Sequence, residues 1–308
     1  EYTILTYYSK TCSHTLQFLT MQRRVQMSLS KEKSINKNKT EEKQKLNSTS
    51  ILWLQLLNMI MQCPTVSPRG IETKEQLCVS TKINMNEPMV NIASRKIGKK
   101  FRYAEAAWIL SGDNKVSTIA PYSKIISKFS DDGVRFFGAY GVKVVDQLPY
   151  IIKTLSEDPS SRQAVLNIWR ENPMKTNDVP CTLSLQFLIR NGELNCIATM
   201  RSSDAWLGWV YDIYNFSMVS LYVMLQLKSQ HKFKYNLGHL YLTVGSQHLY
   251  KQQFEKAQIC LEKADYFEDE KSPTYLKDGQ QLIDLLWEKA KDTSDSNKEQ
   301  LVLKGTHS

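Results

Sequence analysis

A cysteine stands directly after a proline, Pro180-Cys181, where a strand-like run begins. A second strand-like run follows and ends in Arg201-Ser202-Ser203-Asp204. In an antiparallel hairpin the start of the first strand lies beside the end of the second, so Cys181 and Arg201 are expected to be neighbours. A guanidinium beside a thiol stabilises the thiolate, which is the nucleophilic form. Cysteines at strand starts are more often inert core thiols, so this pair needs other chemistry around it. Arg201 and Ser202 offer a forked cation and a hydroxyl, a grip suited to phosphate. Glu105 lies among Ala104, Ala106, Ala107 and Trp108, which leaves little polar face. A buried acid is costly and tends to be functional. Asp212 follows Asp204 by eight residues in an aromatic setting. As a bland alternative, it caps the helix read over 213–227, since Asp is a favoured N-cap. His248 and Tyr250, in "GSQHLY", can donate to a sugar hydroxyl.

The elements that must position these residues give an α+β pattern. Residues 51–64 are apolar all round and stop at a proline, as a buried helix does. "SPRG" (67–70) makes a turn bearing the cation Arg69. Residues 101–113 read as an apolar helix ending at Gly112. Residues 128–141 are a Gly- and aromatic-rich loop or edge region. Residues 148–170 give a helix, a Ser-Arg turn and a strand, "AVLNIW". Strands over 182–190 and 193–200 are joined by Asn-Gly, a strong hairpin signal. Residues 213–227 are too apolar for a surface helix and form a long buried central one. Residues 237–250 read as a strand running into a turn. Residues 252–267 and 275–290 show the periodicity of amphipathic helices. The sum is a mostly antiparallel sheet flanked by helices. There is no internal repeat.

The formal charge is +9 over 308 residues, a balance suited to an anionic partner. Much of the excess sits in residues 23–45, rich in Lys and Asn. That composition reads as a disordered, solvated leader, with a nucleic-acid-binding arm as the alternative. No run approaches the ~18–20 apolar residues of a membrane span, and no secretory pattern opens the chain. Six cysteines, Cys12, Cys63, Cys78, Cys181, Cys196 and Cys260, are scattered singly. No zinc spacing or disulfide framework follows, so reduced thiols, no metal and a cytoplasmic setting are expected. For a viral protein that setting is the host cytoplasm.

Several ordered motifs together resemble thymidylate synthase and its sister enzymes, the deoxypyrimidine-monophosphate hydroxymethylases. They are "SPRG", "AEAAWILSGD", "FFGAYG", "DPSSRQAVL", "VPC", "LQFLIRNGELNCIATMRSSDAWLG" and "GSQHLY". The resemblance divides the chain into a polar, basic leader (1–50), a catalytic domain (51–265) and a helical extension with a polar tail (266–308).

The resemblance implies a thymidylate synthase-like fold and one-carbon transfer from 5,10-methylenetetrahydrofolate to C5 of a pyrimidine nucleotide monophosphate. Cys181 would be the nucleophile at C6, Glu105 the acid handling protons and ordered water, and Tyr140 the group near the C5 proton. Arg69, Arg201 and Ser202 would grip the phosphate. Arg162 would reach it from the second subunit of a two-fold homodimer with shared active sites. Asp204 would approach the folate pterin, and His248 and Tyr250 the deoxyribose. Asp212 would read the base edge, where the synthases have asparagine and the cytosine-directed hydroxymethylases have aspartate. A carboxyl group accepts from the cytosine amino group and, with a shared proton, donates to N3. This points to dCMP hydroxymethylation. Thymidylate synthesis from dUMP and a non-catalytic RNA-binding homologue are the alternatives. Gln163 stands where the family carries a second arginine, and Ile126 where it carries a tryptophan on the folate side. The tail "LVLKGTHS" lacks the family's apolar terminus, which points away from the reductive methyl-forming step.

Overall fold

The apolar run after residue 50 forms the first helix of the computed structural model, α1 (Ser48–Met61). Its N-cap, Asn47, accepts from the Ser50 amide, which satisfies one of the orphan donors of the first turn. Leu52, Trp53, Leu56, Leu57 and Ile60 are all buried, as a helix without a polar face requires. The structure describes residues 4–5, 46–123, 125–171, 175–231, 233–267 and 270–292. The leader read over 1–50 lies outside these, apart from 4–5 and 46–50, and so does the tail from 293. The described residues all fall in one compact unit.

One sheet organises that unit. Its strands are β1 (Ile4–Leu5), β2 (Thr65–Val66), β3 (Thr73–Asn84), β4 (Val165–Asn167), β5 (Thr182–Arg190), β6 (Glu193–Asp204) and β7 (Asn236–Tyr250). The order is β1-β3-β7-β6-β5-β4, with β2 also on β3. The β5–β6 hairpin turns through Asn191 (φ 53°) and Gly192 (φ 75°). Two successive positive φ values are what a type I′ turn needs, and Asn-Gly adopts them most readily. Every pair is antiparallel except β6–β7, which is parallel. A parallel neighbour needs a long crossover, and the chain between β6 and β7 supplies it as a helix.

That crossover is α4 (Trp209–His231), and α2 (Lys99–Leu110) and α3 (Tyr140–Glu157) pack beside it. Trp209, Ile213, Phe216, Met218, Leu221 and Leu225 are buried along its length, so it is the central helix of the core. Each such side chain contributes ~1.5–3 kcal/mol of burial. The helix opens four residues before the span read from sequence, which puts Asp212 inside its first turn. Further along the chain come α5 (Phe254–Lys263) and α6 (Gly279–Lys291). The first is shorter than the span read from periodicity, and stops where Ala264 turns left-handed (φ 44°). The second lies against α2: Leu282, Leu286 and Ala290 are buried and the Trp287 indole donates to Ser111 Oγ.

Two strands run further than their local sequence suggests. β6 continues through Asp204, so "RSSD" is strand. "GSQHLY" is also strand, held straight between β3 and β6 on either side, and no turn interrupts it. The "AVLNIW" run pairs only over Val165–Asn167. Among the described residues no helix is long and apolar enough to cross a membrane.

Candidate active site

The parallel register of β6 and β7 sets Ser202 opposite Ser246 and Asp204 opposite His248. Side chains alternate along a strand, so Ser202, Asp204, Ser246, His248 and Tyr250 crowd one face at one end of the sheet. His248 and Tyr250 meet edge to face at 5.0 Å, and His248 Nδ1 lies 3.3 Å from Ser246 O. Their strand neighbours Gln247 and Leu249 are buried on the other face. The turn carrying Arg69 (φ 53°, ψ 31°) hangs beside this end, since β3 begins at Thr73 opposite Tyr250. Arg69 is close enough for its charge to favour the Tyr250 phenolate, although burial pushes that phenol up overall.

Cys181 enters at the start of β5. The Arg201 amide donates to Cys181 O at 2.9 Å, so the hairpin makes the two residues neighbours. The guanidinium donates from Nε to Pro180 O (2.9 Å), from NH2 to Val179 O (3.1 Å) and from NH1 to Ser202 Oγ (3.2 Å). The Ser202 hydroxyl in turn donates to Cys181 Sγ at 3.7 Å. Burial pushes the thiol up, while Arg201 and Ser202 pull it down. Asp212 and Asp178 oppose them, and the thiol remains above its ordinary range. The guanidinium therefore does not by itself make a thiolate here, because the desolvation of a buried anion outweighs it.

Tyr140 opens α3, and its hydroxyl accepts from the Thr182 amide (3.2 Å) and from Thr182 Oγ1 (3.0 Å). It is thereby fixed beside the nucleophile's strand. Burial first, then Asp212 and Cys181, push its phenol up, so it stays protonated. Glu105, on α2, accepts from Asn215 Nδ2 on α4 at 2.8 Å. Burial pushes its carboxyl up to about 7, against the Asn215 amide, which favours the ionised form. Asp212 is raised well above the carboxylate range by burial, then by Glu105 and Asp204. Its backbone amide donates to Gly208 O at 2.9 Å, so it sits within the first turn and is not the helix cap. Its carboxyl has no hydrogen-bond partner among the described residues. Asp204 accepts from the Trp206 amide at 2.8 Å through Oδ1, while Oδ2 is buried without a partner. Burial raises this carboxyl too, with His248 and Arg95 pulling down.

Arg162 stands apart. It is exposed on the loop before β4, and among the described residues only its carbonyl is engaged, by Gln186 Nε2 at 2.8 Å. Gln163 beside it is exposed as well, and Ile126 packs against the core in a short 3₁₀ turn, Ile126–Phe129.

Three further residues at the site escape a reading of sequence alone. Asn215 follows Asp212 by three, a spacing that puts both on one helix face, and that was the available signal. Arg95 lies in the Lys- and Arg-rich stretch 94–102, where a charged side chain is ordinarily exposed. It is instead 3% exposed, stacks on Trp206 at 4.5 Å and donates to Trp206 O. Asp178 accepts from the Gly138 amide at 2.7 Å. A Cβ at Gly138 would lie 2.1 Å from Asp178 O, so only glycine allows this approach. Among the described residues no group of three His, Cys, Asp or Glu could hold a metal ion.

A family model described as thymidylate synthase matches residues 52–277. The chain belongs to the thymidylate synthase family. Two curated relatives within reach carry a more specific name. A deoxyuridylate hydroxymethyltransferase of Bacillus phage SP01 is 33% identical over 178 residues, 50% of this chain and 45% of the relative. A protein of the same name from Pseudomonas phage M6 is 34% identical over 141 residues, 42% of this chain and 40% of the relative. The chain thus spans less than half the length of either. The thymidylate synthase match covers β2 to β7, α1 from its second turn, α2 to α5 and every site residue described above.

Proposed function

We propose that this chain adds a one-carbon unit to C5 of a pyrimidine deoxynucleotide monophosphate and releases the hydroxymethyl product, with dCMP as the nucleotide. The observation that carries the base assignment is the Asp212 carboxyl, half-buried and desolvated in one cluster with Glu105, Tyr140 and Cys181. A group so placed favours its neutral form, which offers one donor and one acceptor. Cytosine needs an acceptor for its amino group and a donor to N3.

In this reading Cys181 Sγ bonds to C6, and its proton leaves as the bond forms because the free thiol is stored protonated. C5 then carries the electron pair that takes up the one-carbon unit; loss of the C5 proton, addition of water to the new carbon and expulsion of the Cys181 thiolate from C6 would leave the hydroxymethyl nucleotide. Glu105, near neutrality, can give or take a proton at working pH. Tyr140 stands where the C5 proton departs. Arg201, Arg69 and Ser202 hold the phosphate dianion, His248 and Tyr250 the sugar. Methylenetetrahydrofolate would supply the carbon at the oxidation level of formaldehyde. The buried, unpartnered Oδ2 of Asp204 suits an N–H donor of its pterin, so the residues present fit the group. The working unit of the proposal is a two-fold homodimer in which Arg162 serves the phosphate bound by a second copy. Its exposure away from its own chain's cluster supports that arrangement.

A second reading, dUMP as the nucleotide, is favoured by the names of the two phage relatives. A neutral carboxyl turned the other way gives its donor to O4 and its acceptor to N3–H of uracil. Incubation with methylenetetrahydrofolate and either nucleotide, followed by product mass, decides between them. Addition of 30 mass units to dCMP supports the first reading and addition to dUMP the second; those 30 units correspond roughly to one CH₂O, the group a hydroxymethylation adds. A gain of about 14 on dUMP would mean thymidylate synthesis, and no gain on either would overturn the proposal.

A further inference from the structure

Asn215 is 4% exposed in the second turn of the central helix. Its Nδ2 holds Glu105 Oε2 at 2.8 Å, and it is the only hydrogen-bond partner of that carboxyl among the described residues. Its Oδ1 is buried with no partner. A buried amide with half its capacity unused is uncommon, and such groups usually meet an ordered water or a ligand. Asp212 lies one turn earlier on the same face. Three polar side chains, Glu105, Asp212 and Asn215, therefore share one desolvated neighbourhood.

We propose that Asn215 is a positioning residue: its amide fixes the Glu105 carboxyl with Nδ2 and uses the free Oδ1 to anchor an ordered water between Glu105 and the pyrimidine. This rests on the reading of Glu105 as the acid that manages protons around the base. The charged and titratable groups around Glu105 are few. Tyr211 and Asp212 face it from α4; Asp204 from β6 and Tyr140 from α3 act on Asp212; Arg95 and Arg102 act on Tyr211. None of these donates a hydrogen bond to Glu105, so the orientation of its carboxyl depends on Asn215. Asn215 also favours the ionised carboxylate, against the burial that holds Glu105 near 7.

The test compares wild type with Asn215→Leu, which keeps the branching of the side chain and removes both polar amide atoms. Asn215→Ala serves if the leucine variant does not fold, as judged by thermal melting. The Glu105 carboxyl is titrated by ¹³C NMR in the ligand-free protein and assigned through Glu105→Gln. The variant should titrate about one pH unit higher or more, the size expected for losing one hydrogen bond to a charged group. With nucleotide and methylenetetrahydrofolate, kcat should fall about 10- to 100-fold with nucleotide KM little changed, since binding groups are untouched. The pH profile of kcat should move in the same direction as the NMR titration. Wild-type turnover together with an unmoved Glu105 titration, or with unchanged kcat in the variant, would overturn the inference and leave the proposed function standing. A moved titration with no wild-type turnover on either nucleotide would overturn the proposed function, and Asn215 would then hold Glu105 for no reaction of this kind.

Discussion

Arg201 holds the backbone around Cys181 with both its main chain and its side chain. Its amide donates to Cys181 O, and its guanidinium donates to the carbonyls of Val179 and Pro180, the two residues before the cysteine. One side chain thus anchors the loop of the candidate nucleophile while its remaining donors are left for an anion. Lysine at this position would keep the charge and lose the fork.

The first prediction follows from that double role. Burial outweighs Arg201 in setting the thiol, so Cys181 should react slowly with iodoacetamide at neutral pH, and the rise of its rate with pH should continue past the range where an ordinary free thiol levels off. Arg201→Ala should push that rise to still higher pH. Peptide mass spectrometry separates Cys181 from the exposed Cys78. Fast neutral-pH alkylation of Cys181 would show a thiolate already formed in the free protein.

The second prediction concerns base choice. Asp212→Asn should move preference from dCMP toward dUMP. A buried polar group facing the wrong donor or acceptor costs ~1–3 kcal/mol, about 5- to 150-fold in kcat/KM. The neutral carboxyl of Asp212 persists until pH rises through its raised pKa. Turnover of dCMP should therefore weaken at alkaline pH before the asparagine variant's turnover of dUMP does. Unchanged preference would remove Asp212 from the base edge.

Glu105 yields a stability prediction that needs no substrate. Its carboxyl titrates near 7 in the folded chain and near ~4.3 in an unfolded one. The group is raised, so its contribution is intact below about pH 4 and is lost as pH rises through about 7. Glu105→Gln keeps the shape and has no charge to bury. Relative to wild type, the variant should gain stability between pH 5 and pH 8, by at most about 3 kcal/mol. Denaturant unfolding at the two pH values measures it, and an equal difference at both would mean that Glu105 titrates normally.

How much of this was legible beforehand varied with the range of the forces involved. The β5–β6 hairpin was legible because Asn191-Gly192 encodes its turn locally, and the Cys181–Arg201 juxtaposition followed from it. The extra turn at the start of α4 was not, because Trp209 and Tyr211 have no strong helical preference and only tertiary burial recruits them. Asp212 consequently looked like a cap. The straight run of β7 was hidden for a similar reason. Gly245-Ser246 reads as a turn, yet pairing with β3 and β6 on both sides overrides that preference. Arg95 was illegible because its own segment is basic, and nothing local distinguishes the one arginine that stacks beneath Trp206.

The final prediction concerns Arg162, which is exposed and whose guanidinium has no hydrogen-bond or ion-pair partner among the described residues. Arg162→Ala should raise nucleotide KM, and Cys181→Ser should abolish tritium release from C5-labelled nucleotide, by several factors of ten at ~1.4 kcal/mol each. Mixing the two inactive or weakened proteins should restore partial activity, because one hybrid site keeps both residues. A fully active monomer by light scattering would refute the shared site.

The central place of β7 also governs how the chain comes to be folded. Glu75 and Ser246, joined across β3 and β7, are 171 residues apart. Closing so long a loop is slow, and non-local strand pairing delays folding generally. During synthesis β3 and β6 emerge well before the strand that separates them, each with an unpaired edge. A ribosome-bound chain halted before residue 236 would hold Cys181 on a hairpin open to solvent, with two edges free to pair with other chains. The sheet closes over those edges only when the last strand slots in, so nascent chains should be more prone to aggregation than the finished protein.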